Sequence, residues 1–220
     1  MPASVALPYP AYEVQQSLKP KSLEGLSEKL LDQHWKLYEG YVTNTNFLNK
    51  AIWEALESGT EINKPPIAEM QRRLGFEYNG MVLHEYYFGA LRSGTKEPAA
   101  SSSLGKKLAS DYGSFERWKK QFSEIGKMRG IGWVITSLDP LTQRLNTFWV
   151  GDHEIGNIAG FIPVVVMDMW EHAYATDYGA SATGRAEYLQ VYFKNLDWET
   201  TALRLDAALQ GKAASRSSKS

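Results

Sequence analysis

Apolar residues recur every three or four positions over two long stretches in the first half of the chain. The first stretch predicts a helix that begins after a candidate N-cap, Ser27, and continues to about residue 56. Gly59 and the Pro65-Pro66 pair interrupt the pattern, and a second helix is expected over about 67–91. Because only a short polar loop joins them, the two helices are expected to pack as an antiparallel hairpin.

The same spacing predicts which residues lie on the buried face of each helix. On the first helix these are Leu30, His34, Tyr38, Tyr41, Thr45, Leu48, Ile52 and Leu56. On the second helix they are Ile67, Met70, Leu74, Met81, His84, Phe88 and Leu91. Each helix is therefore expected to direct one histidine towards the interior.

The second half of the chain contains shorter patterns. A stretch rich in Gly, Ser and Pro at 93–105 predicts a domain boundary. Three β-branched and aromatic runs predict strands, and the Asp139-Pro140 turn predicts that the first two form a hairpin. The expected strands cover 130–138, 144–150 and 161–167, and the expected helices cover about 104–112, 115–125 and 187–209.

These elements together predict an α+β fold. Residues 1–92 would form an extended arm, over 1–25, and the long N-terminal helical hairpin. Residues 93–210 would form an α/β domain with a small three-stranded antiparallel sheet. The polar tail, 211–220, is expected to be disordered.

Composition narrows the classes of function. The 220-residue chain has a net charge of −1 and no basic block, which argues against a nucleic-acid partner. It has no cysteine, which excludes disulfides, thiolate metal sites and cysteine nucleophiles. The N-terminus lacks the pattern of a signal peptide, and the longest apolar stretch, near 159–167, is too short to span a membrane. A cytoplasmic protein with no membrane partner is expected.

The carboxylate of Asp168, next to an apolar strand, indicates that the histidines could be metal ligands. A single histidine in an apolar segment is ordinarily a core residue bonded to a backbone carbonyl. Asp168, however, directly follows the apolar run 161–167, where an ionised group is costly unless it is paired or binds a metal. It precedes His172 by four residues, which would put both groups on one side of a helical turn. With His34 and His84 they would form a sulfur-free donor set that suits iron, manganese or zinc.

The segment DMWEHAY at 168–174 resembles the D-x-W-E-H-A signature of the iron/manganese superoxide dismutases. Other landmarks follow in the order of that family, and the resemblance covers roughly residues 7–210. They are LPYP at 7–10, Tyr41-Val42 after His34, NGMVLHEYYF at 79–88 around His84, and the group Gly130, Gly132 and Trp133, which opens the sheet.

The resemblance implies a metal centre with defined ligands. His34, His84, Asp168 and His172 would hold one iron or manganese ion per subunit, with a solvent molecule as the fifth ligand. The reaction would convert superoxide anion to oxygen and hydrogen peroxide, with the metal alternating between +2 and +3. The chain would assemble as a homodimer or tetramer, with Glu171 and Tyr174 near the interface.

The resemblance also implies roles for residues around the metal. Tyr41 would stand at the mouth of the substrate channel, and Trp133 and Trp170 would form aromatic walls. Family members supply a hydrogen bond to the metal-bound solvent from one of two positions. Because Gly80 occupies one of them, His153 is expected to supply that bond.

Two segments depart from the family pattern. The family usually has eight residues from the first histidine ligand to the channel tyrosine, whereas seven separate His34 from Tyr41 here. The channel histidine is replaced by Leu37 or Tyr38, and the helix is expected to be plain α without a π-bulge. The segment 177–188 is longer than usual, and Arg185 within it is a candidate source of positive charge for an anionic substrate.

Two other functions compete with this interpretation. One is a catalytically silent family member that binds metal for a structural reason. The other is a mononuclear iron oxygenase or a zinc hydrolase, with Glu171 as the candidate general base. Four protein ligands disfavour an oxygenase, which needs two or three open positions.

Overall fold

The computed structural model describes residues 7–211. The predicted tail, apart from Gly211, and the first six residues of the predicted arm lie outside the described residues. The helices are α1 (Glu28–Glu57), α2 (Ile67–Phe88), α3 (Ser103–Tyr112), α4 (Phe115–Gly126), α5 (Ala175–Tyr178), α6 (Ala182–Asn195) and α7 (Trp198–Leu209). The strands are β1 (Gly132–Leu138), β2 (Leu145–Gly151) and β3 (Ile162–Asp168), and 3-10 turns lie at Gln16–Leu18 and Glu171–Ala173.

The first two helices form the predicted hairpin. The Ser27 hydroxyl accepts a hydrogen bond from the Leu30 amide at 3.1 Å and caps α1, as expected. α1 is α-helical without interruption through His34 and Tyr41, which confirms the prediction of a plain helix there. The predicted buried face of α1 is wrong by one position at its C-terminal end, because Ala55 is buried and Leu56 is 48% exposed.

The predicted three-stranded antiparallel sheet is confirmed. Its order is β2-β1-β3, and β1 in the centre is buried along its whole length. On β3, Asp168 lies opposite Trp133 of β1. Asp168 is therefore the last residue of the strand rather than the first residue after it, because pairing with β1 extends the strand by one position.

The C-terminal half of the chain corrects one predicted helix. The expected single helix over 187–209 is wrong, because α6 and α7 are separate helices joined at Leu196-Asp197. The Asp197 carboxylate caps α7 by accepting from the Glu199 amide at 3.2 Å. The Asp197 amide donates to the Ala90 carbonyl at 2.8 Å. This contact with the end of the hairpin keeps α6 and α7 separate.

The same contact ends α2 earlier than predicted. α2 stops at Phe88 rather than near Leu91, because Leu91 forms an isolated β-bridge with Leu196. The arm is only partly extended: a 3-10 turn interrupts it, and Leu18 and Leu23 are buried.

The hairpin packs onto the sheet domain at the place where β3 ends. α2 lies against β3, and α1 contacts the 3-10 turn Glu171–Ala173. Apolar side chains from the hairpin and the sheet domain form one continuous core. Within residues 7–211, no helix has the length and hydrophobicity that crossing a membrane requires.

Candidate metal centre

The four residues proposed as ligands meet where the hairpin packs against the sheet. His34 lies on α1, His84 on α2, Asp168 at the end of β3, and His172 in the 3-10 turn that follows. One ligand atom from each lies within 4.8 Å of the others, in a cluster that could hold a metal ion. His34, His84 and Asp168 have no solvent exposure, and the His172 side chain is 18% exposed.

The three imidazoles all approach the same carboxylate oxygen. Asp168 Oδ2 lies 3.0 Å from His34 Nε2, 3.1 Å from His172 Nε2 and 3.5 Å from His84 Nε2. Imidazole nitrogen and carboxylate oxygen bind a zinc-sized divalent ion at about 2.0–2.2 Å. Two such ligands around one ion are therefore separated by roughly 3.0–3.7 Å. The distances from Asp168 Oδ2 to the three imidazole nitrogens therefore fit a single ion bound by all four residues.

The orientation of His84 provides a separate test of this fit. Its Nδ1 donates to the Gly80 carbonyl at 2.6 Å, which leaves Nε2 unprotonated in the neutral ring. That Nε2 is buried and has no hydrogen-bond partner among the described residues. A buried acceptor without a donor is unfavourable, and a metal ion would satisfy its lone pair.

The second carboxylate oxygen of Asp168 is fixed by the backbone. Oδ1 accepts from the Trp170 amide at 2.8 Å, so the remaining oxygen, Oδ2, is the one directed at the histidines. This contact determines which oxygen would bind the metal. It also compensates in part for burying the carboxylate.

Burial and mutual contact determine the protonation states of these groups. Burial lowers the pKa of His34 and lowers that of His84 well below its usual value, which favours neutral imidazoles. Burial alone would raise the pKa of Asp168. The charge of His172 and the hydrogen bonds from His172 and His34 outweigh that effect and lower it. A neutral His34, a neutral His84 and an ionised Asp168 are the forms that bind metal.

The relation between Asp168 and His172 differs from the expected one. The four-residue offset was expected to act through a helical turn, and that expectation is wrong. Asp168 ends a strand, and His172 follows two residues after the extended Trp170, inside a 3-10 turn. The two side chains nevertheless converge, with His172 Nε2 3.1 Å from Asp168 Oδ2.

Aromatic rings surround the cluster, including one that the sequence did not single out. Trp133 is fully buried, with its ring centroid 5.0 Å from that of His84. Trp170 is half-buried and stacks on His172 at 5.7 Å. Phe76 contacts His153 edge-on, with ring centroids 4.5 Å apart, although it lies outside the predicted stripe of α2. No sequence signal distinguishes it from an ordinary surface aromatic.

His153 and Tyr41 form a hydrogen-bonded pair beside the cluster. His153 lies in the turn after β2 and is fully buried. Trp133 Nε1 donates to His153 Nδ1 at 3.0 Å, so the proton of the neutral ring is on Nε2. Nε2 lies 2.8 Å from the Tyr41 hydroxyl oxygen, to which it donates. Burial lowers the pKa of His153 to about 4, so the ring is neutral near pH 7.

The absence of a side chain at Gly80 leaves space for the ring of Tyr41. A Cβ atom at this position would lie 2.6 Å from Cδ1 of Tyr41, closer than side chains tolerate. The ring of Tyr41 therefore packs against bare backbone of α2. A larger residue at Gly80 would displace Tyr41 from His153.

The two candidates for the missing channel histidine have different surroundings. Tyr38 is fully buried, and its hydroxyl donates to Glu85 Oε1 at 3.1 Å and accepts from the Gln15 amide at 2.9 Å. Leu37 is 41% exposed. Tyr38 thus connects the arm to α2 inside the subunit.

The residues expected near a subunit interface also differ in exposure. Glu171 is exposed next to His172, whereas Tyr174 is only 2% exposed and stacks on Tyr188. The Tyr174 hydroxyl is 3.4 Å from Arg185 Nε. Only Glu171 of the two has substantial surface that a second chain could contact.

Comparison with known proteins agrees with the signature motif. Residues 100–204 match the family model for the C-terminal domain of iron/manganese superoxide dismutases. The chain is 34% identical over 203 residues to "Superoxide dismutase [Fe]" of Aquifex pyrophilus, covering 90% of this chain and 92% of that protein.

Two further relatives carry different metals in their names. Identity is 35% over 198 residues to "Superoxide dismutase [Fe]" of Cupriavidus metallidurans, covering 87% of this chain and 94% of that protein. It is 29% over 187 residues to "Superoxide dismutase [Mn] 2" of Haloferax volcanii, covering 84% of this chain and 89% of that protein. From the matching fold, the donor cluster and these similarities, we conclude that the chain belongs to the iron/manganese superoxide dismutase family.

Proposed function

We propose that this chain is a superoxide dismutase with one iron or manganese ion per subunit, held by His34, His84, Asp168 and His172. The observation that carries the proposal is the convergence of three imidazole Nε2 atoms on Asp168 Oδ2, at 3.0–3.5 Å. Two superoxide anions and two protons would give one oxygen and one hydrogen peroxide. When bound, the metal supplies a one-electron couple between its +2 and +3 states.

The protein's own contribution is to place a proton donor beside the largely buried ligands. His153 donates its Nε2 proton to the Tyr41 oxygen, so the Tyr41 hydroxyl must direct its own proton elsewhere. Burial raises the pKa of Tyr41, so the hydroxyl keeps this proton near neutral pH. We infer that the Tyr41 hydroxyl is the hydrogen-bond donor to solvent at the metal centre and that His153 positions Tyr41, because both ring nitrogens of His153 are already engaged, by Trp133 and Tyr41.

The aromatic walls keep the pair in position and exclude water. Trp133 orients His153 through the hydrogen bond to Nδ1, and Trp170 stacks on the same ring with centroids 4.9 Å apart. The side-chain amide of Asn79 donates to the His153 carbonyl at 2.9 Å and anchors the turn. These contacts fix the direction of the Nε2 proton before substrate arrives.

A second copy of the chain is part of the proposal. Glu171 is exposed and adjacent to His172, so a partner bound there would cover the one ligand that retains solvent exposure. We propose a homodimer or tetramer in which Glu171 contacts the partner and buried Tyr174 supports this surface from behind. A cytoplasmic antioxidant role and the division into domains at 93–105 stay predictions.

The proposal is tested by loading the purified protein with iron and with manganese separately. Metal analysis is expected to give about one ion per subunit, and superoxide removal is expected with at least one metal. A protein that holds either metal but removes no superoxide would instead be the catalytically silent family member. Hydrolytic activity with zinc and none with iron or manganese would favour the hydrolase.

The role of His153 gives a separate prediction. His153→Ala is expected to retain its metal, because the four ligand atoms do not depend on this ring. Activity is expected to fall by about tenfold or more, because loss of a hydrogen-bonded partner around a metal typically costs 10- to 100-fold. The reduction potential, measured by redox titration, is expected to shift. His153→Gln restores an N–H donor and is expected to recover part of the activity. A metal-free His153→Ala protein would show that this histidine is needed for metal binding.

A further inference from the structure

Three half-buried aromatic rings lie together beside the metal centre. Phe76 lies between Tyr41 and Trp170, with ring centroids at 6.3 Å and 6.5 Å respectively. Its edge contacts His153 at 4.5 Å. These rings carry no charge that would attract a small anion. A residue that guides such an anion towards the metal must therefore be charged and lie at the solvent-facing edge of the rings, here called the rim.

Arg73 is the charged residue held against this rim. It precedes Phe76 by three positions on α2, and its guanidinium carbon lies 3.9 Å from the centre of the Phe76 ring. Arg73 Nε also donates to Glu77 Oε1 at 2.6 Å. These two contacts hold a flexible side chain in one orientation over the Phe76 ring.

The two members of the ion pair between Arg73 and Glu77 differ in exposure. The Arg73 side chain is 52% exposed, whereas that of Glu77 is 4% exposed. The Glu77 carboxylate is directed towards α1, where Asn44 Nδ2 donates to Glu77 Oε2 at 3.2 Å. The positive member of the pair therefore faces solvent.

We propose that Arg73 guides the anionic substrate into the aromatic approach formed by Tyr41, Phe76 and Trp170. The inference rests on the proposed function, because superoxide is the anion concerned. Burial is the main cause of the shifted pKa values of Tyr41 and His153, and the charge of Arg73 lowers both, although at Tyr41 the charge of Glu77 raises the pKa by more. The field of this guanidinium thus reaches the groups beside the metal centre.

Arg185, the candidate singled out from the sequence, is less suited to this role. It is 7% exposed, and its guanidinium donates to the backbone carbonyls of Met128, Gly130 and Met169. Those contacts join the segment before β1 to the segment after β3. Arg185 holds these segments together, and its charge is directed at carbonyl oxygens rather than at solvent.

The expected effect is modest and depends on salt. A unit charge about 10 Å from a monovalent anion in water changes the encounter rate about twofold, and a reversed charge gives at most about fourfold. At about 10 mM ionic strength, screening over this distance is weak, whereas at about 150 mM it removes most of the effect. A purely structural defect would not follow this dependence.

The test compares Arg73→Glu and Arg73→Gln with Arg72→Glu, each loaded with the same metal. Arg72 is adjacent on α2, is 77% exposed and pairs with Glu69, so its substitution makes the same change in net charge away from the rim. The rate constant for superoxide is measured by pulse radiolysis at about 10 and 150 mM ionic strength. The association rate of azide, a small anion that coordinates such metals, is measured by stopped flow.

Arg73→Glu is expected to lower both rates about two- to fourfold at low salt, and Arg73→Gln by up to about twofold, with both deficits shrinking at high salt. Arg72→Glu is expected to match the parent. Equal deficits in Arg72→Glu and Arg73→Glu, or a deficit independent of salt, would overturn the inference. If the Arg73→Glu protein loses its metal, the rates of the Arg73→Gln protein test the inference instead. An inactive parent would refute the proposed function, whereas the azide rates would still test Arg73.

Discussion

Asp168→Ala is expected to remove the metal and all measurable dismutase activity. Asp168 Oδ2 is the atom on which the three histidines converge, and the carboxylate supplies the only negative charge among the four ligands. Loss of a residue that only supports a ligand typically lowers metal affinity 10- to 100-fold. Loss of the charged ligand itself is expected to exceed about 100-fold. Metal content after dialysis and superoxide removal are the measurements.

Asp168→Asn separates loss of the ligand from loss of the fold. Asparagine keeps the volume of the side chain and an oxygen that can accept from the Trp170 amide, which Oδ1 does at 2.8 Å in the parent. The variant is expected to fold but to bind metal poorly, because the amide carries no charge. Asp139→Ala, in the β1–β2 turn, is the control and is expected to retain full metal content. Stoichiometric metal in both Asp168 variants would refute the proposed ligand set.

His172→Ala is the second substitution with a large expected effect, because it is expected to disrupt both the metal centre and the assembly. The imidazole lies 3.1 Å from Asp168 Oδ2, and its 18% exposed side chain is adjacent to Glu171. Metal content is expected to fall by at least about tenfold. If a partner contacts this surface, the dimer dissociation constant is expected to rise roughly 30-fold, the scale of an interface hot spot.

Glu171→Ala is the matched comparison for this double effect. Its carboxylate is exposed and belongs to no part of the donor cluster, so metal content is expected to stay near that of the parent. The dimer is expected to weaken, as measured by sedimentation equilibrium. An unchanged dissociation constant in both variants would place the interface elsewhere and leave the ligand assignment intact.

The seven-residue spacing in α1 shows how a departure from the family pattern is accommodated. Seven residues are close to two full turns of an α-helix, so His34 and Tyr41 face similar directions without a bulge. The channel histidine is lost in the process. Tyr38 is directed inward, towards Glu85 and the arm, whereas the Arg73 side chain is 52% exposed.

The sequence by itself determined the elements whose signals are local. Three-and-four spacing predicts α1 and most of α2, because burying one helix face demands that period. β-branched runs with a turn predict the antiparallel sheet. The donor residues were also visible, because histidines on two buried stripes and a carboxylate beside a buried strand are costly without a partner.

Only the tertiary structure decided how distant residues meet. The separation of α6 from α7 depends on a backbone contact between Asp197 and Ala90, which no local pattern records. The bond between His153 and Tyr41 joins positions 112 residues apart and determines which group offers its proton. The positions of Phe76 and Arg73 over this pair follow from the packing of α2 against β3 and the turn after β2. Such contacts depend on packing between elements, whereas sequence periodicity reports only which face of each element is buried.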